Sequence, residues 1–201
     1  MRIIGLTGQS GAGKGAVAAL FAEHGIPSID TDAVYHELLL PPSACLDELV
    51  SEFSASILTP DGTLNRAALA KIVFAPTKNG ATRRQRLNEI THRYVIDRTL
   101  ALLTEYEKQG YKAAIIDAPL LIEAGLHTKC DRVIAVLADR EIRIARLIQR
   151  DKLSHEQICA RLDAQPDMSF YMEHADILIY NNGTTEQLQT EILHWLPEVI
   201  A

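Results

Sequence analysis

Little in this sequence invites a disulfide, a zinc cluster or a membrane span. Its three cysteines, Cys45, Cys130 and Cys159, are widely separated, odd in number and without a CxxC pair. That spacing offers neither a disulfide framework nor paired zinc ligands, and it suits reduced cytosolic thiols. No run of about 18 apolar residues occurs, the length a membrane helix requires. The apolar stretch at the amino end is broken by glycine too early to form a secretory h-region. A cytoplasmic protein is expected, with no membrane partner. Basic charge is scarce as well: 20 Lys and Arg stand against 26 Asp and Glu, a formal net charge of −6. The balance argues against non-specific nucleic-acid binding, which feeds on cations. It leaves room for an anionic substrate, because a pocket can be basic on an acidic protein. No internal repeat or low-complexity segment is present. What remains is ordinary globular composition, 47% hydrophobic over 201 residues, enough to bury roughly 70% of the unfolded chain's surface.

The apolar runs are short and end at glycines or acids. Residues 2–6 form one such run before a Gly-rich turn, and residues 13–24 then carry Val17, Leu20 and Phe21 at helical spacing up to Gly25. Residues 26–29 make a second short strand before Asp30-Thr31-Asp32. Strand, turn, helix and strand within about thirty residues is a βαβ unit. Further strands are predicted at 113–116, ending at Asp117, at 132–137 and at 177–180, with helices over 141–150 and 186–196. Residues 33 to about 108 read as helices broken at Pro41-Pro42, at Pro60-Asp61-Gly62 and near Pro76, with no strand. The expected fold is therefore α/β: a five-stranded parallel sheet flanked by helices. Its core is assigned to residues 1–32 and 113–201, with a helical insertion over 33–112. In such sheets ligands bind beyond the carboxyl ends of the strands.

Gly8-Gln9-Ser10-Gly11-Ala12-Gly13-Lys14 matches G-x-x-x-x-G-K, between a strand and a helix. Glycines there let successive N–H groups converge on phosphate oxygens, the helix adds its positive dipole end, and Lys14 brings a mobile cation to the β- and γ-phosphates. Gly8, Gly11, Ala12, Gly13, Lys14, Gly15 and Ala16 are accordingly assigned to ATP. The motif's hydroxyl residue, which holds Mg²⁺, is replaced by Gly15, and Ala16 follows. Two readings stay open: the metal is held by waters and carboxylates, or activity is weakened.

Phosphoryl transfer needs a carboxylate to accept the attacking hydroxyl's proton. Asp32, at the sheet's carboxyl edge, is the candidate. Asp30 is assigned to capping or structure, both side chains being read as lying in an extended segment. Asp117, ending the third strand in sequence, is a candidate to hold the metal through a water. Leu120 and Leu121 read as core residues, and Glu123 as either a helix or a site residue. Arg143, Arg146 and Arg150 share one helix face. Guanidinium groups suit phosphoryl oxygens, whereas a basic face is more often merely solvated, the reading adopted for Arg143.

With these pieces in order, the chain resembles the dephospho-coenzyme A kinase family along nearly its whole length. The resemblance rests on the loop over 8–14, Ile29-Asp30-Thr31-Asp32, Asp61-Gly62-Thr63-Leu64-Asn65-Arg66 and Leu87-Asn88-Glu89-Ile90-Thr91-His92. It continues through Pro119-Leu120-Leu121-Ile122-Glu123, the run from Arg146 to Gln165, and Asn181-Asn182-Gly183. It implies a P-loop NTPase core, a helical acceptor-binding insertion and a small lid at about 140–165. It implies transfer from ATP to the ribose 3′-hydroxyl of dephospho-coenzyme A, with Mg²⁺, the two small-molecule substrates as partners and neither nucleic acid nor membrane. Lys14 would take the phosphates, Asp32 would be the base, and Arg146 and Arg150 would close on the transferring group. Arg66, His92, Leu120 and Glu123 would line the acceptor side, Asn181 the nucleotide side, and Arg161 would anchor the lid or contact ATP. Gly15, Ala16, His36 and Arg93 depart from the family pattern, as do Gln9 and Ser10 in the loop. Two alternatives stand beside this reading: another small-metabolite or nucleotide kinase of the same fold, or a nucleotide-binding module weakened in catalysis.

Overall fold

A computed structural model describes residues 1–76 and 78–200. The chain divides into two compact units, one made of Met1–Asp30 with Leu103–Ala201 and the other of Thr31–Leu102.

The first unit is built on five parallel strands: β1 (Arg2–Gly8), β2 (Ser28–Asp30), β3 (Ala113–Asp117), β4 (Arg132–Leu137) and β5 (Ile177–Tyr180). Their order is β2-β3-β1-β4-β5, so β1 lies at the centre and the chain reverses its direction of winding there. The registers bring Leu6 beside Asp117, Gly8 beside Val136, and Asp30 beside Asp117. The apolar runs are continuous because both faces of the sheet are covered. Alternate residues serve opposite faces. Ile134 and Val136 join Ile4, Leu6, Ile115 and Ile179 under helices α1 (Lys14–Glu23) and α9 (Thr185–Ile200), with Phe21 and Ile192 fully buried. Ala135 and Leu137 meet Ile122 and Tyr171 on the other face. Helix α9 runs past the expected end at residue 196 and contains Pro197. Val199, fully buried in the core, extends the apolar contact beyond the proline.

After β4 come α6 (Arg140–Asp151), α7 (His155–Asp163) and α8 (Met168–His174). Helices α6 and α7 form a hairpin with its own small core of Ile144, Leu147, Ile158 and Leu162. Lys152 makes the left-handed turn between them, and Ser154 with Gln157 forms a capping box that starts α7.

The second unit contains α2 (Thr31–Leu38), α3 (Ala44–Phe53), α4 (Arg66–Val73) and most of α5 (Lys78–Lys108). As expected it has no strand among its named elements, and a bridge between Leu58 and Leu64 closes a hairpin-like turn. Its core is separate: Cys45, Leu49, Phe53, Ile57, Leu69, Val73 and Ile90. Serine and asparagine caps, Ser43 on α3 and Asn65 on α4, fix where these helices begin. The division falls at Asp30 because α2 opens directly on the end of β2, and at Leu102 within the unbroken α5. The boundaries expected from the sequence, after 32 and after 112, lie close to the first of these and beyond the end of α5. Among the described residues no helix is long and apolar enough to cross a membrane.

Candidate active site

The loop between β1 and α1 is shaped by what packs behind it. Gly13 caps α1 in the left-handed region, with φ 99° and ψ 27°. A Cβ there would stand 2.2 Å from Asn181 Nδ2, so both the backbone angle and the neighbour require glycine. The carbonyl of Ala12 accepts from Asn181 Nδ2 at 2.8 Å and from Arg146 Nη1 at 3.2 Å. Arg146 Nη2 also donates to Asn181 Oδ1 at 3.4 Å. Asn181 follows β5 and is buried; with Arg146 of α6 it fastens the loop's third turn residue from outside. The backbone N–H of Ser10 donates to Gln165 Oε1 at 3.0 Å, a second tie from beyond α7. Helix α1 has no acidic residue in its first turn, which leaves its dipole end to an anion.

Lys14 Nζ donates to Asp117 Oδ1 across a largely buried ion pair, the side chains being 19% and 10% exposed. The pair forms because β3 ends at Asp117 beside β1, one turn of chain from the start of α1. Thr7, fully buried at the end of β1, donates to the Pro119 carbonyl at 3.2 Å and holds the turn after β3 against the loop.

In the α6–α7 hairpin the arginines part company. Arg150 binds Asp151 through Nε at 2.6 Å and Nη2 at 3.0 Å, and Arg161 reaches the same carboxylate at 2.8 Å. Asp151, to which the sequence assigns no role, thus joins the two helices. Its carboxyl is held below the ordinary value, chiefly by the Arg150 hydrogen bond. Arg161 anchors the hairpin in this structure. Arg143 corrects the sequence reading: it is not on a solvated face but 7% exposed. The reason is the close approach of α6 to the loop, where a Cβ on Gly11 would meet the Arg143 carbonyl at 2.9 Å and Leu147 at 3.0 Å.

Two further corrections concern the strand ends. Asp32 is not in an extended segment with Asp30: the chain turns helical at Thr31, and Asp32 stands exposed in the first turn of α2. A carboxylate suits that place because the helix N-terminus is positive. Leu121 is fully buried as expected, whereas Leu120 is 58% exposed, since the chain after β3 breaks into turns that face alternate ways. Glu123 lies exposed in the same turns.

The second unit carries the remaining candidates. Arg66, exposed at the start of α4, shares a hydrogen bond of 2.9 Å with His36 Nδ1. It lines a groove of about 160 Å³ with Tyr35, Leu64, Val73, Phe74 and Leu87; Tyr35 and Phe74 were not singled out from the sequence, because an aromatic at helical spacing reads as core. Burial raises the Tyr35 hydroxyl above its ordinary value against the pull of Arg66. His92 is exposed on α5. Arg93 pairs with Glu48 and stacks over the Tyr94 ring at 4.9 Å, while Tyr94 donates to Glu48 at 2.9 Å. Its role here is to bind α5 to α3.

The sheet order, with a phosphate-type loop after the central strand, defines a P-loop kinase fold. An Acinetobacter baumannii shikimate kinase shares that fold at a TM-score of 0.51 and 18% identity. A family model for dephospho-CoA kinase matches residues 2–187, and the chain belongs to that family. Among curated relatives, a dephospho-CoA kinase of Corynebacterium glutamicum is 37% identical over 198 residues, 98% of this chain and 97% of its own length. One from Geobacillus kaustophilus is 36% identical, covering 94% and 92%. Among solved structures, the Thermus thermophilus protein TT1252 matches with a TM-score of 0.80 at 30% identity, covering 100% of this chain and 98% of its own. The Campylobacter jejuni dephospho-CoA kinase matches at 0.72 and 27%, with the same coverage.

The family implies a divalent metal. Among the described residues no three His, Cys, Asp or Glu side chains are gathered as a metal cluster. Mg²⁺ needs none: it keeps several waters and takes one or two carboxylates together with substrate phosphates. Asp117 fits that donor set, standing beside Lys14 at the loop.

Proposed function

We propose that this chain transfers the γ-phosphoryl group of ATP to the ribose 3′-hydroxyl of dephospho-coenzyme A, the last step of coenzyme A synthesis, in the cytoplasm. The family match over residues 2–187 carries the choice of acceptor. The loop and the buried Lys14–Asp117 pair support the choice of donor.

In this reading the N–H groups at the start of α1 and the Lys14 ammonium hold the β- and γ-phosphates, and Lys14 exchanges Asp117 for them. A bound Mg²⁺, held by Asp117 through water, would neutralise charge on those phosphates. Asp32 accepts the proton of the attacking hydroxyl. Arg146 steadies the loop through the Ala12 carbonyl and meets the phosphates from that side. Arg150 leaves Asp151 for the transferring group, whose equatorial oxygens suit its paired donors. The hairpin of α6 and α7 acts as the lid that keeps water from the phosphoryl group. The helical unit, with Arg66, His92 and the groove beside Tyr35, takes the acceptor; Leu120 and Glu123, in the turns after β3, are assigned to the acceptor on the family resemblance. Asn181, Gly15, Ala16 and Arg161 belong to the nucleotide side.

The test is ADP release by the purified chain with Mg²⁺, with and without dephospho-coenzyme A, beside a panel of other hydroxyl acceptors. Turnover dependent on dephospho-coenzyme A is expected. ADP release independent of it, or greater with another acceptor, refutes the reading.

A further inference from the structure

A cleft of about 640 Å³ lies beside the phosphate loop within the first unit, lined among others by Gln9, Ala138, Arg143, Leu162, Gln165 and Met168. Two polar side chains in it are buried and under-satisfied. Arg143 is 7% exposed and its Nε has no hydrogen-bond partner; Gln9 is 6% exposed and its Oε1 has none. Arg143 pairs with no carboxylate among the described residues.

The neighbouring acids are otherwise occupied or out in solvent. Asp163 is bound to Arg140 at 2.7 Å, and Asp167 accepts from Ser169 Oγ at 2.7 Å and the Phe170 N–H at 3.1 Å. Asp139 and Glu141 are exposed at the rim, where water and salt screen them. Burial disfavours the charged form of Arg143, and the like charge of Arg140 adds to that. A buried cation without a counter-ion is costly, and folds retain one where a ligand supplies the opposite charge. The position is suggestive of which ligand: the Arg143 carbonyl abuts the loop at Gly11, and Gln9 is itself a loop residue.

We infer that Arg143 is a further binding residue for the reaction, its guanidinium taking a phosphate oxyanion of the bound reactants in the cleft beside Gln9. Rotation of the Gln9 amide would bring its NH₂ to the same oxygen as a second donor. The inference rests on the proposed reaction only for the identity of the reactants. Two of them carry such an oxyanion, the terminal phosphate of ATP and the diphosphate of dephospho-coenzyme A.

The experiment uses the full chain, Arg143→Gln and Arg143→Lys. Binding of tripolyphosphate, ATP and dephospho-coenzyme A is measured separately by calorimetry, and melting is measured without ligand. Because Arg143 has no hydrogen-bond or ion-pair partner among the described residues to lose, Arg143→Gln is expected to melt no lower than the parent. Its affinity for at least one ligand should fall about tenfold to a hundredfold, as for a lost charged hydrogen bond. Loss shared by tripolyphosphate and ATP assigns the oxyanion to the donor; loss confined to dephospho-coenzyme A assigns it to the acceptor. Unchanged affinity for all three overturns the inference. If Arg143→Gln loses both stability and affinity, Arg143→Lys decides: affinity kept with the charge supports the inference, and affinity lost overturns it as a packing effect. Binding is read without turnover, so a parent chain inactive on dephospho-coenzyme A would refute the proposed function and leave these arms readable.

Discussion

Gly15 stands where the phosphate-loop motif carries a hydroxyl, and replacing it separates a folding effect from a chemical one. A Cβ at Gly15 meets nothing within 4 Å, and the residue is exposed in the first turn of α1. Its backbone is not in the left-handed region, unlike that of Gly13. Neither packing nor angle therefore demands glycine. Gly15→Ala removes unfolded-state freedom and should stabilise by about 0.5–1 kcal/mol, raising the melting midpoint of a 201-residue chain by roughly 1–4 °C. Gly15→Ser should give about half that, because serine is the weaker helix former. The alanine variant has no hydroxyl, so any gain of serine over alanine in activity belongs to the hydroxyl. If the loop lacks only that metal ligand, Gly15→Ser lowers the Mg²⁺ concentration for half-maximal turnover while Gly15→Ala leaves it unchanged. Calorimetric melting and an Mg²⁺ titration of ADP release read the two effects independently. A lower melting point in both variants would refute the packing argument. An identical Mg²⁺ response in both would show that waters and Asp117 already complete the metal's shell.

The remaining predictions follow from contacts described above. Lys14→Met removes the ammonium from a largely buried ion pair with Asp117 and should cost about 1–3 kcal/mol in urea unfolding, with a coupling to Asp117→Asn that a double-mutant cycle reads. Asp32→Asn should lower turnover by roughly 10²–10⁴ with ATP affinity little changed; equal loss of ATP binding would make Asp32 a metal or structural residue. Burial pushes the Cys45 thiol up to about 11 and the Cys130 thiol up to about 12. A disulfide reagent at pH 8 should therefore find one fast thiol in the native chain, Cys159, and two more only after unfolding. For Asp151 the folded value is depressed, so its contribution is present above the unfolded carboxyl value of about 3.9 and is lost as pH falls below it. Hydrogen exchange in the α6–α7 hairpin should be flat from about pH 5 upward, once corrected for intrinsic rates, and Asp151→Asn should quicken it at all of these pH values.

Much of this was legible before any coordinates. The five strands and the loop were readable because buried parallel strands are continuous apolar runs punctuated by glycine or acid, as at Gly8 and Asp117. What escaped reading were matters of direction. Arg143 and Arg146 are three residues apart on one helix face, yet only the approach of α6 to Gly11 decides that Arg143 is buried. Leu120 and Leu121 are chemically alike, and a run of turns, invisible to periodicity, exposes one and buries the other. The extended path expected through Asp32 gives way to a helix at Thr31, because Asp-Thr-Asp after a strand suits a turn and a helix cap equally. Asp151, part of the resembling run, has no role legible in the sequence, because an acid beside an arginine is commonplace in a helix and its second arginine comes from another helix.

That shared carboxylate has a consequence for how the hairpin would handle charge if it closes as proposed. A guanidinium that leaves a private partner for a substrate abandons an anion and loosens whatever the pair was fastening. Asp151 serves two masters, so the departure of Arg150 leaves the carboxylate still neutralised by Arg161 and the hairpin still latched. In the proposed reaction one arginine would then travel while the other keeps the joint shut.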